Sequence, residues 1–263
     1  MTDVNGVIQT AAWEPSYADR LHGWWPIGHS YHLSANYNVK KILFIVILLL
    51  IVFNNGCGTT PGPRAASQPR CGQERWSVKT LTDHAVHSVN FTPRPISIHD
   101  LRSLPAPSVD RRTPRQTRVE ASTHTVQASL LEMRMENDED IQLVIADPRN
   151  NSETMIAEFP NQNCTDASIK KKEMEDARST FLKACGVSEQ QLLQNLLQAE
   201  PSPPSGEGAQ DRESTAPFIQ LSGSAMITGV GFFDTIHGQA GVAPNGIELH
   251  PVLQVENVNC TRH

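Results

Sequence analysis

The sequence predicts a mainly β fold with an α insertion, a five-stranded Greek-key barrel of order β-β-β-α-β-β, and three observations predict it. Thr123–Phe159 alternates as three short strands, a helical stretch follows it, and Phe218–Glu256 alternates as two more. In the first strand Val126, Ala128 and Leu130 alternate with Gln127 and Ser129, the period of a half-buried strand. After Leu130 the apolar set moves to Leu131, Met133 and Met135, and such a one-residue slip predicts a β-bulge. Glu136–Asp140 reads as a solvated turn. Ile141, Leu143 and Ile145 give the second strand its inner face, the run from Asp147 to Asn151 is a turn, and Thr154–Phe159 is the third strand. Phe218–Phe232 carries Leu221, Ala225 and Ile227, with Gly223, Gly229 and Gly231 at bends or close approaches. The last strand, Gly246–Glu256, alternates Ile247, Leu249, Leu253 and Val255 with Glu248, His250 and Gln254. Pro251 predicts an unpaired or bulged point there, because proline has no N–H to give to a ladder.

The helical insertion spans 165–198. Thr165 or Asp166 caps a helix that runs to Ala184 and stops at Gly186, with Ile169, Ala177, Phe181 and Cys185 as its inner stripe and Lys170–Lys172 as its wet face. Ser188–Gln191 is a capping-box pattern opening a second helix with Leu192, Leu193, Leu196 and Leu197. The low-complexity stretch 199–216 reads as a mobile loop. Three strands, a helix and two strands is the element order of the OB-fold, and other five-stranded barrels share it.

The chain has 263 residues, 38% hydrophobic and 6% aromatic, with a formal net charge of -6, which suits one domain with extensions. Val39-Lys40-Lys41, the apolar run Ile42–Phe53 and Gly56-Cys57 make a tripartite secretory signal over 39–57, too short for a membrane span of roughly 20 residues. Gly56-Cys57 resembles the lipobox of bacterial lipoproteins, with Asn54 departing from its usual aliphatic residue. Lipidation at Cys57 would leave the protein membrane-anchored in the bacterial cell envelope; a cleaved signal peptide and an uncleaved anchor are the alternatives. If the codon of Val39 is GTG, translation starts there and 1–38 is a non-native leader, which N-terminal sequencing decides.

Residues 58–70 form a Pro/Gly-rich tether and 71–118 an extended basic strap. Arg64–Arg118 holds ten Lys/Arg against four Asp/Glu, a net of +6, whereas Val119–His263 holds nine against twenty-one, a net of -12. The basic strap therefore wraps the acidic barrel of 119–263. An acidic, aromatic-poor barrel argues against nucleic acid, which needs a basic groove with stacking aromatics.

With Cys57 lipidated, Cys71, Cys164, Cys185 and Cys260 remain, an even set for an oxidising compartment. A straight helix over 166–184 would hold Cys164 and Cys185 on the order of 28 Å apart, against about 7 Å for bridged Cα atoms. Cys164 and Cys260 each follow strands expected to run side by side, so the expected pairs are Cys164–Cys260 and Cys71–Cys185. No C-x-x-C pair favours zinc on these thiols.

An OB-fold binds ligands on the rim loops, here Glu136–Asp140 and Asp234–Gly246. Asp138, Asp140, Asp234 and His237 are candidate ligands for a divalent cation, and Asp234 and His237 are candidate catalytic groups. Asp234, His237, Gln239, Asn245, Glu248 and His250 are the candidate ligand-binding set. Each has a plainer reading: a solvated turn for Asp138–Asp140, backbone hydrogen bonds for Asp234 and His237, and a paired strand face for Glu248 and His250. No G-x-S-x-G, H-E-x-x-H or P-loop appears.

The segments Glu74-Arg75-Trp76-Ser77-Val78-Lys79-Thr80, Ile227–Asp234, His237-Gly238-Gln239 and Gly241–Val252 resemble a family of uncharacterised bacterial exported proteins, over roughly Cys71 to Val255. The resemblance implies export and no particular activity. A fainter likeness to OB-fold nucleases lacks the Arg/Glu/Arg set of the staphylococcal type. The expectation is thus a non-catalytic envelope protein that binds a small ligand or an envelope partner, the alternative being a metal-dependent hydrolase of phosphodiesters using the 234–246 loop.

Overall fold

Six strands form one mixed sheet, with a few helices set around it, in a computed structural model that describes residues 71–116, 118–199 and 214–263. These residues belong to one compact unit, Ala65–His263. The expected leader, signal segment, Cys57 lipobox and tether, and most of the expected loop at 199–216, lie outside the described residues. Among the described residues no helix is long and apolar enough to cross a membrane.

The strands are β1 (Asn90–Pro95), β2 (Ser122–Met135), β3 (Ile141–Asp147), β4 (Asn150–Phe159), β5 (Ile219–Phe233) and β6 (Ile247–Arg262). Their order is β1-β2-β3-β4-β6-β5, and β2 also pairs with β5, so the five long strands close into a ring. Both partners of β2 change register just past Ser129 and Leu130, where the sequence predicts the bulge. The pairing of β5 with β6 slips twice around Gly229. A Cβ on Gly229 would stand 2.8 Å from the Pro251 carbonyl oxygen, so the backbones cross there only because glycine has no side chain.

Inside the ring, Leu143, Ile145, Ala157, Phe159, Ile227 and Leu249 pack with the inner faces of α3 (Lys171–Ala184) and α4 (Glu189–Ala199). The Phe181 ring stacks on Phe159 at 5.1 Å. Ser188 caps the second helix, its Oγ accepting from Gln191 N–H. The first helix starts later than expected, after a 3-10 turn at Gln162–Cys164, and Ile169 is therefore left half exposed rather than on the inner stripe.

The strap expected to be extended over 71–118 is so only in part. It holds α1 (Trp76–Lys79), β1 and α2 (Ile98–Arg102), because its apolar residues Val78, Leu81, Ile98 and Leu101 must be buried against the ring. Leu81, Val86 and Val89 form a second small core with Met174, Val230 and Leu253.

The four cysteines among the described residues are all bridged, but as Cys71–Cys164 and Cys185–Cys260. The expected pairing fails because β6 does not end at Glu256. It runs on to Arg262 and carries Cys260 along β5 to a position opposite Gly223, far beyond its short contact with β4 at Ile156 and Ala157. The two bridges point to an oxidising, exported environment.

Candidate functional site

Around β3 and the adjoining ends of β4, β5 and β6 the strand face turned away from the core is buried too. All seven residues of β3 are covered, although Gln142 and Val144 alternate with the inward set. Two segments lie over them. Gly241, at φ +77°, brings the 234–246 loop so close that a Cβ would meet Val144 at 2.3 Å, and Gln142 Nε2 donates to the Ala240 carbonyl at 2.9 Å. Beside it, α1 lays Arg75 and Lys79 over the Phe232 ring, 4.5 and 5.4 Å from its centroid.

Strand register then decides which side chains meet beneath this cover. Gln142 lies opposite Glu158, and Ile156 lies opposite Glu248 in the parallel pairing of β4 and β6. Two residues further on, Glu158 faces His250, and His250 Nδ1 stands 2.7 Å from Glu158 Oε2 and 3.4 Å from Glu248 Oε1. The other ring nitrogen, Nε2, is 3.4 Å from Asp140 Oδ2. Asp140 is fixed by the Asn161 N–H, which donates to Oδ1 at 2.6 Å, and Asp138 Oδ1 accepts from Asp140 N–H. Lys79 Nζ lies 3.6 Å from Asp234 Oδ2. His250 is 0% exposed, Asp140 1%, Glu248 2% and Asp138 8%, so the rim turn that reads as solvated is part of the interior.

Five carboxyl groups here face two cations, Lys79 and His250, and burial opposes every charge. Burial pushes Glu248 up to about 8, helped by repulsion from Glu158 and Asp234. Asp138 is raised for the same reasons, by burial and then by Asp140. Burial also acts against charge on Glu158, yet His250 and Lys79 overcome it and hold Glu158 down at about 2. His250 and Lys79 are each raised despite burial, His250 by Glu158, Asp140 and Glu248, and Lys79 by Asp234, Glu158, Glu248 and Asp138. The cluster thus disfavours charge on Glu248 and Asp138 and favours it on Glu158, Lys79 and His250.

Of the residues the sequence nominates, the structure gathers Asp138, Asp140, Asp234, Glu248 and His250. It does not gather His237, which is exposed and whose N–H donates to Gln239 Oε1. Gln239 and Asn245 staple the loop: Gln239 Nε2 donates to the Thr235 carbonyl, and Asn245 Nδ2 donates to the carbonyls of Leu101 and Leu104. Glu158 and Lys79 were not singled out. The only trace of Lys79 in the sequence is its place in the Glu74–Thr80 segment; Glu158 has none, because its meeting with His250 depends on a pairing between distant strands.

Beside α1 a cavity of about 470 Å³ is lined by Trp76, His84, Arg111, Arg112, Thr113 and Arg115. Comparison with known proteins adds no relative to these observations: no family model, no curated protein and no solved structure matches the chain.

Proposed function

We propose that this chain is an exported protein, lipid-anchored at the bacterial cell envelope through Cys57, whose OB-like barrel binds a ligand or partner without transforming it. The OB-like reading is supported by the ring in which β2 meets β3 and β5, β4 meets β6 in parallel, and the helices fall between β4 and β5. The observation that carries the non-catalytic reading is the enclosure of the acid and base groups. A general acid or base must come within hydrogen-bond reach of its substrate, yet His250 is sealed under α1 and the 234–246 loop. Asp234 is engaged with Lys79, and the exposed His237 has no carboxylate partner.

The cavity on the basic segment is the ligand seat in this reading. Its volume suits a small molecule; of the arginines that line it, Arg75, Arg111 and Arg115 are engaged by Glu120, Glu74 and Asp83, and the exposed Arg112 is the cation that faces a ligand. The ligand is therefore an anion of the carboxylate or phosphate class. Thermal-shift and equilibrium-dialysis measurements with a panel of such anions should find at least one binder, and Arg112→Glu should weaken it at least tenfold while leaving the fold intact. Turnover of a phosphodiester by the wild-type chain, lost in His237→Ala, would instead establish the hydrolase.

A further inference from the structure

Asp140, Glu158 and His250 each offer one metal-ligating atom, and the three atoms lie within 4.8 Å of one another. Compactness alone proves little, because carboxylates often cluster. The second observation concerns two particular atoms. Asp140 Oδ2 and His250 Nε2 are both sealed from solvent and both lack a hydrogen-bond partner, although they stand 3.4 Å apart. Buried polar atoms are rarely left this way, since an unmade hydrogen bond in the interior is costly.

The spacing itself is informative. Two donors bound at about 2.0–2.2 Å to one tetrahedral ion stand about 3.3–3.6 Å apart, which is the separation of these two atoms. The remaining ring nitrogen, Nδ1, hydrogen-bonds to Glu248 Oε1 at 3.4 Å, as a metal-bound imidazole is usually held by a carboxylate outside the ligand set. Charge also balances, for two carboxylates and a neutral imidazole match a dication. The fixed cation of the cluster, Lys79, is engaged with Asp234 instead.

We propose that Asp140, Glu158 and His250 form a structural site for one zinc-type divalent cation, enclosed beneath α1 and the 234–246 loop. An imidazole in the set selects a first-row transition-type cation over calcium, which prefers oxygen alone. As the ion binds, the proton on His250 Nε2 leaves to solvent and the lone pair of that nitrogen goes to the metal. The ligands come from the β2–β3 turn, β4 and β6, so they converge only when the ring has closed. Binding is therefore coupled to folding, and the ion supports the binding domain rather than reacting with a substrate.

The test uses the full chain, purified without a histidine tag and analysed for metal by mass spectrometry before and after a chelator. The expected result is close to one zinc per chain. Its removal should lower the thermal midpoint by several degrees, and zinc or cobalt(II), but not calcium, should restore it. The cobalt(II) form should show the visible absorption of a low-coordinate N/O site. Asp140→Asn and His250→Gln should each retain at least tenfold less zinc. Should either variant fail to fold, the chelation and restoration of the wild-type chain decide the matter without it. A wild-type chain with no retained metal and no response to zinc would reduce the cluster to an imidazolium–carboxylate network and overturn the proposal. Zinc retained equally by both variants, or an equal response to calcium, would overturn it as well.

Discussion

Arg75 is the residue whose loss should do most to uncover the buried cluster. Its guanidinium donates to Glu120 at 2.9 and 2.7 Å, to the Phe233 carbonyl at 2.6 Å and to the Thr113 carbonyl at 2.8 Å. Glu120 in turn accepts from Phe233 N–H at 3.0 Å, and both side chains of the pair are 0% exposed. Arg75→Met keeps the apolar stem over Phe232 but leaves a carboxylate buried without its cation. Breaking one side of such a pair costs about 3–5 kcal/mol, and the lost bonds to the carbonyls of Thr113, Phe233 and Pro114 place this case in the upper half of that range. Glu120→Gln should cost less, about 2 kcal/mol, because the amide keeps the shape and can still accept from Phe233 N–H. The double variant should fall short of the sum by about 2 kcal/mol, the coupling of a shared network. Guanidinium unfolding followed by far-UV circular dichroism, under non-reducing conditions and at constant m, measures all three. A loss below about 1 kcal/mol for Arg75→Met, or strict additivity of the two substitutions, would refute the argument that this pair pins the 71–81 segment to the rim.

Two further predictions concern the rest of the fold. Asp147 is held well below the usual carboxylate range by the Arg149 guanidinium and by the backbone N–H groups of Arg149 and His99. Its folded-state pKa is depressed, so its contribution is present above about pH 4 and is lost as pH falls through the folded value. Asp147→Asn should therefore cost about 1–2 kcal/mol at neutral pH and progressively less as pH falls below the ordinary carboxylate range, a convergence that paired acid-unfolding curves would reveal or deny. Peptide mapping without reduction should recover Cys71 with Cys164 and Cys185 with Cys260; removing the second bridge, whose cysteines are 75 residues apart, should cost about 4 kcal/mol on chain-entropy grounds. Recovery of Cys164 with Cys260 would contradict the structure.

Much of the strand layout could be read from alternation. The inward set Ile141, Leu143 and Ile145, the bulge after Leu130 and the irregularity near Pro251 all lie where local pattern puts them. The ends of β4 and β6 could not, because Asn150–Ser152 are polar and Asn257–Arg262 offers only Val258 and Cys260 between polar residues, so both ends are fixed by neighbouring strands. The site shows the same division. Glu248 and His250 fall on one face by counting twos, but the other face of a strand is normally the wet one, and nothing local announces that α1 and a glycine-rich loop will cover it. Glu158 joins them through a parallel register between β4 and β6. Long-range register of this kind has no signature in any short window of sequence.

The two disulfides also set how the folded unit would answer a mechanical pull. They close the loops 71–164 and 185–260, which do not overlap. A force applied at Cys71 and at Cys260 passes across the first bridge, along the segment from Cys164 to Cys185 that contains α3, and out across the second. Strands β1 to β6 up to Cys260, and the cluster they enclose, sit outside that load path. Only the bridging segment can be drawn out, to a span on the order of 70 Å at about 3.5 Å per residue, after which covalent sulfur bonds carry the tension. Under such a pull the helix is then the extensible link and the ring of strands the part that stays slack.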